Sequence, residues 1–142
     1  MIRKFFIFTA LIALFTWGSI YLIPYTAFYP KVFVQADRGN ALEFFVKGQT
    51  DRSACEAIRD KMKSSILHKC PSCKLQAVCT MGPDGSHRQA LSSFPLRDVS
   101  FRYGVGVVVI RSPNKSMELA ICNVLKNGIK GTCFPPGVRR HS

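Results

Sequence analysis

Six cysteines constrain this chain more than any other feature. Cys55, Cys70, Cys73, Cys79, Cys122 and Cys133 all fall in the later part of a 142-residue sequence. A set this dense in so small a domain reads as a disulfide framework made in an oxidising compartment. Fifteen connectivities are possible for six cysteines, so local geometry has to rank them.

A helix and two strands supply that geometry. Ala54, Cys55, Ile58, Met62, Ser65 and Ile66 recur at helical spacing, with Thr50, Asp51 or Ser53 as start and a Ser53/Glu56 capping box. The helix is expected to run to about Leu67, and Lys74 to Met81 then alternates as a half-buried strand. From Cys55 the helix rises about 18 Å, and the strand returns about 20 Å to Cys79, so these two arrive at one level. By the same increments, about 8 Å out and about 13 Å back bring Cys122 toward Cys133. Cys70 and Cys73 are left for each other. A Cys55 to Cys70 bond would have to bridge about 20 Å along an intact helix, far beyond disulfide reach.

The amino-terminal part is apolar. No charge occurs from Phe5 to Ile23, and the uncharged stretch continues through Pro30, which is length enough for a bilayer span. Residues 1–30 are therefore expected to be an uncleaved signal anchor, with a cleavable signal peptide as the rival. Trp17, Tyr21 and Tyr25 recur every four residues and would mark the outer interface on one helical stripe, with Arg3 and Lys4 inside. Together with the cysteines this predicts a single-pass protein of a bacterial inner membrane, its N-terminus cytoplasmic and residues 31–142 periplasmic.

Within residues 31–142 the pattern predicts an α+β fold. Lys31 to Gln35 is a short apolar run, and Ala41 to Lys47 is the expected first core strand. Val99 to Arg111 reads as one long central strand, with a short helix possible before it on a Ser86/Gln89 capping box. A helix from Asn114 or Ser116 carries Met117, Ala120, Ile121, Val124 and Leu125 on one stripe, and Ile129 to Phe134 is the last strand. The order strand, helix, strand, strand, helix, strand is the ferredoxin-like arrangement, with both helices on one sheet face and the other face open.

Chemistry is sparse in this sequence. Cys70 and Cys73 form a C-x-x-C that follows a helix instead of opening one, so the dipole would oppose a thiolate there. His68 with Cys70, Cys73 and Cys79 has the ligand count for zinc, which an oxidising compartment disfavours. Asp84 and His87 sit in an expected solvated turn, and Gly104 with Gly106 lacks the third glycine and turn of a nucleotide site. Those two glycines are read as letting a helix approach the sheet. Neither a metal nor any other cofactor is implied.

Charge is the remaining signal. With Arg3 and Lys4 set aside, 18 of the 20 basic residues and all 8 acidic ones remain. Lys61, Lys63, Lys69 and Lys74 gather near the end of the first helix, a face suited to anionic partners. Nucleic acid is not expected, because no aromatic and basic stacking motif accompanies the charge. The expected function is a non-catalytic accessory or assembly subunit of a cell-envelope complex, docking a larger membrane partner through this basic domain. Two alternatives are membrane-tethered thiol-disulfide exchange at Cys70 and Cys73, and a module that binds an anionic glycan or lipid.

Overall fold

The computed structural model describes residues 27–140 apart from Val105. Six antiparallel strands make one sheet: β1 (Phe28–Gln35), β2 (Ala41–Val46), β3 (Lys74–Met81), β4 (Val99–Tyr103), β5 (Gly106–Arg111) and β6 (Thr132–Phe134). The helices are α1 (Arg52–Lys69), α2 (Gly85–Leu91) and α3 (Lys115–Gly128). Across the sheet the strands run β3-β1-β2-β5-β4-β6. This corrects the four-stranded ferredoxin-like expectation.

Two strands were not anticipated. Lys31 to Gln35 belongs to β1, an inner strand paired with both β2 and β3, and β1 starts at Phe28, where the apolar stretch was expected to continue. Val99 to Arg111 is not one strand but a hairpin, in which β4 folds back on β5 and Tyr103 lies opposite Gly106. Only two residues separate the strands, a connection that favours positive φ at its start, and Gly104 provides it at φ 41°. Gly106 makes room for a ring, since a Cβ there would lie 2.7 Å from the Tyr103 side chain. No helix needs that space.

Membrane topology is corrected as well. Among the described residues no helix is long and apolar enough to cross a membrane. The longest, α1, carries Arg52, Glu56, Arg59, Asp60, Lys61, Lys63 and Lys69 along its length. Residues 28–30, the end of the expected span, are strand, while Trp17, Tyr21 and Tyr25 lie outside the described residues. The single-pass inner-membrane expectation thus finds no spanning helix among the described residues.

The strands compose two copies of one unit. In the first, the β1–β2 hairpin leads through α1 to β3, which pairs with the far side of β1; in the second, the β4–β5 hairpin leads through α3 to β6 on the far side of β4. Each is a ββαβ unit, and β2 joins β5 at the centre. The register shows a quasi-twofold relation. Cys79 lies opposite Pro30, whose successor Lys31 lies opposite Phe45; Cys133 lies opposite Phe101, whose successor Arg102 lies opposite Val107. Phe45 and Val107 face each other, so both cysteines stand equally far from that pair.

Both long helices cover one sheet face. Its core comprises Val32, Val34, Phe44, Val99, Phe101, Val108, Ile110 and Cys122, with Met62 and Ile66 of α1 and Ile121 and Leu125 of α3 packed against it. The opposite face, expected to be open, is partly roofed by α2 and the segment after it, from which Ala90 and Leu96 pack on Phe45 and Val109. On α3 the buried positions are Glu118 and Cys122, so Met117 and Val124 of the expected stripe face outward, Val124 with 70% exposed.

The helix starts are alike in the two units. Asp51 caps α1 by accepting from the Ser53 amide at 3.1 Å, and Asn114 caps α3 by accepting from the Ser116 amide at 3.1 Å. A side-chain oxygen there satisfies an amide the helix cannot. Asp84 does the same for α2 at the His87 amide, displacing Ser86 from that role.

Candidate functional site

The disulfides set the helices over the sheet. Cys55 bonds Cys79 with Cα atoms 6.2 Å apart, and Cys122 bonds Cys133 at 6.0 Å. Cys70 bonds Cys73 at 5.4 Å. These are the pairs the out-and-back arithmetic ranks first. They also occupy every thiolate of the zinc reading, and no group of metal-ligating side chains occurs among the described residues.

Where the units meet, the helices leave a groove over the sheet. It has a volume of about 510 Å³. Val34 of β1, Leu42 and Phe44 of β2 and Tyr103 of β4 form the floor. Met62 and Ile66 form one wall, Leu125 and Ile129 the other, and the Cys70–Cys73 bridge lines one end. Burial raises the Tyr103 hydroxyl above the usual phenol range, as expected for a ring inserted in an apolar site.

Lys61 and Lys69 border this groove. They recur at helical spacing with Ser65 between them, which puts all three on one side of α1. Among the described residues neither lysine has an ion-pair partner, because Glu56 pairs with Arg52 at 3.1 Å and Asp60 with Arg59 at 2.9 Å. Lys63, about 200° round the helix from Lys61, is off the rim, and Lys74 starts β3 opposite Gln35. Of the expected basic patch, the structure brings two members to the groove.

The Cys70–Cys73 bridge is placed at the wrong helix end for thiolate chemistry. Cys70 caps the C-terminus of α1 and donates its amide to the Ile66 carbonyl at 2.8 Å. The partial negative charge of that terminus opposes a thiolate.

A second set of charges is paired internally, running from the other sheet face to the start of α3. Lys31 meets Glu43 at 2.9 Å and Asp84 at 3.8 Å; Arg111 meets Glu43 and Asp98, each at 3.2 Å. Lys115 reaches Asp98 at 3.2 Å and Glu118 at 2.8 Å. Glu118 is fully buried and also accepts from the Ser112 amide at 3.1 Å. Half of the chain's acidic residues stand in this one network.

His87 differs from its expected setting, and Arg140 is buried as well. His87 is fully buried, edge-on to Phe45 and Tyr29, with Nδ1 3.0 Å from Asp84; the turn is not solvated at that ring. Burial pushes the Asp84 carboxyl up, but the His87 amide and ring, with the charges of His87 and Lys31, hold it below the usual range. Arg140, a terminal basic residue in the sequence, is buried at 1% exposure. Its guanidinium donates to the carbonyls of Gln89, Ala90 and Phe94, satisfying the C-terminal end of α2. Burial, and then the charge of Arg102, lowers its pKa.

Fold and site together define a disulfide-stapled α+β domain of two ββαβ units with an apolar, lysine-bordered groove. No family model, curated protein or solved structure matches the chain.

Proposed function

We propose that the protein is a non-catalytic binding module of an oxidising compartment, whose ligand is an anionic amphiphile with a single acyl chain. The groove carries this reading: its floor and walls are aliphatic and aromatic, and two unpaired ammonium groups stand at its border. A volume of about 510 Å³ falls in the range of small-ligand sites. The acyl chain would lie over Phe44 and Tyr103, with the acidic head at Lys61 and Lys69. Apolar burial supplies affinity and the lysines orient the head. The three disulfides support the compartment. An accessory role, presenting the bound amphiphile to a partner protein, follows from binding without turnover.

The test is titration of the folded, oxidised protein with dodecanoate below its micellar concentration, using dodecyl maltoside as the uncharged control. Saturable binding of dodecanoate is expected. The paired substitution Lys61→Glu and Lys69→Glu should weaken it about tenfold, equivalent to about 1.4 kcal/mol, while leaving maltoside binding unchanged. Equal binding of both amphiphiles to native and substituted protein would refute the assigned head position, and no saturable binding of either would refute the groove.

A further inference from the structure

The two edges of the sheet are finished differently. β6 pairs only over Thr132–Phe134, and Pro135 and Pro136 follow it at once, which closes an edge to further pairing. β3 runs for 8 residues without a proline, and among the described residues no strand pairs with its outer side. Val78 is 47% exposed there and Met81 74%. We infer that β3 is the contact between two copies of this chain, which join antiparallel about a twofold axis through Val78 into one continuous sheet.

The register fixes which backbone groups are free. Gly82 donates its amide to the Ala27 carbonyl at 2.8 Å, and the same register continues from Phe28 opposite Met81 to Gln35 opposite Lys74. Bonded pairs alternate in an antiparallel ladder, so Lys74, Gln76, Val78 and Thr80 turn their amides and carbonyls toward β1. Leu75, Ala77, Cys79 and Met81 turn theirs outward. With the axis at Val78, Leu75 meets the partner's Met81 and Ala77 meets the partner's Cys79, so outward groups face outward groups. Val78 meets its own copy at a non-hydrogen-bonded position, where side chains stand closest, and Gln76 meets the partner's Thr80. Apolar faces apolar and polar faces polar along the strand.

Charge favours a second copy as the occupant. The one charged residue of β3, Lys74, falls opposite the partner's Gly82, which leaves the two Lys74 side chains about 26 Å apart along the strands. Helix α1 lies over β1 and β3, so the two α1 helices come side by side with their ends reversed. At about 100° per residue, the side of α1 turned away from the groove carries Arg52, Glu56, Asp60 and Lys63. That is two acids and two bases, a balanced surface in a chain of 20 basic and 8 acidic residues. Copies can close there without the repulsion that a one-signed face would bring. The groove lies on the inner side of α1 and stays open. Such an isologous pairing covers the one long edge by strand addition.

Sedimentation velocity of the oxidised full chain over a concentration series tests the pairing, with circular dichroism as the check on folding. A monomer–dimer equilibrium is expected, with the Ala77 and Cys79 amides slowed in hydrogen exchange as the dimer forms. Val78→Lys and Val78→Glu each set like charges against themselves across the axis, and each should weaken association at least about tenfold. Mixing the two should restore it as a heterodimer. Ala77→Pro removes an outward amide while sparing the ladder to β1, and should give the same loss. A chain that stays monomeric up to ~1 mM would overturn the inference, as would a dimer unchanged in Val78→Lys and Ala77→Pro. A monomer whose Ala77 and Cys79 amides are already protected would place another segment of the chain on the edge. Failure of the mixed variants to associate would overturn the axis at Val78.

Discussion

The two ββαβ units share a topology and a helix-to-edge-strand disulfide, yet they use their helices differently. In the first, α1 spans 18 residues and buries only Cys55 completely, leaving Met62 and Ile66 to wall the groove and Lys61 and Lys69 at its border. In the second, α3 spans 14 residues, and the buried Glu118 ties it to the Ser112 amide ahead of it and pairs with Lys115 in its own first turn. The staple comes one turn later on α3: Cys55 lies four residues beyond its cap Asp51, whereas Cys122 lies eight beyond Asn114. One architecture thus carries an unpaired lysine rim on one helix and an internally paired charge set on the other. The division follows where charge is neutralised, since the second half takes part in the ion network and the rim of the first does not.

The sharpest way to break this comparison is to cut the equivalent disulfides. In the chain-entropy picture a closed loop of 24 residues contributes about 3.4 kcal/mol and one of 11 about 2.8 kcal/mol. Replacing Cys55 and Cys79 by serine should therefore cost more in urea unfolding than replacing Cys122 and Cys133. A reversed order would show that packing around the buried Cys122 outweighs loop length. Removing the Cys70–Cys73 bridge, with a separation of 3, should cost only about 1.6 kcal/mol.

Next in size is Arg140→Ala. It leaves the Gln89, Ala90 and Phe94 carbonyls without their donor under a buried position, and a loss of about 2 to 3 kcal/mol is expected in thermal or urea unfolding. The α2 layer should loosen first, read as faster amide exchange there than in α1 or α3. Unchanged stability would mean that water replaces the guanidinium at no cost.

The smallest effect is acid dependence. Asp84 and Asp51 both have carboxyls held below the usual range in the folded state, Asp51 by the Ser53 hydroxyl and amide. A lowered folded value means their stabilisation is full above the unfolded pKa near ~4 and is lost as pH falls through the folded value. Asp84→Asn keeps the cap but removes the charge facing Lys31 and His87, so it should lower stability at neutral pH and flatten the profile on the acid side below about pH 4, where native and substituted protein converge. A profile identical to the native one would assign acid sensitivity to other carboxylates.

Particular residues show which parts of the fold could be read locally. The α1 and α3 spans and the cysteine pairs were legible because each depends on short stretches of chain whose rise per residue is fixed by geometry. β1 was hidden by Pro30 and by its continuity with an uncharged stretch, although Pro30 sits one residue before the pairing with β2 begins. The β4–β5 hairpin was hidden by unbroken alternation through Val99 to Arg111, which Gly104 interrupts only once the chain turns on itself. Of the candidate site, Lys61 and Lys69 were visible as charges, but not as a rim. The floor comes from β1, β2 and β4, which no local pattern brings together.

The amino acid order by itself determined the two long helices and the disulfide partners, because those depend on dihedral preferences and distances over roughly twenty residues. Only the tertiary structure decided the order of strands, the rotation of α3, the burial of His87 and Arg140, and the separation of paired from unpaired charge. Those outcomes depend on which distant segments exclude water together, and that is a property of the assembled sheet.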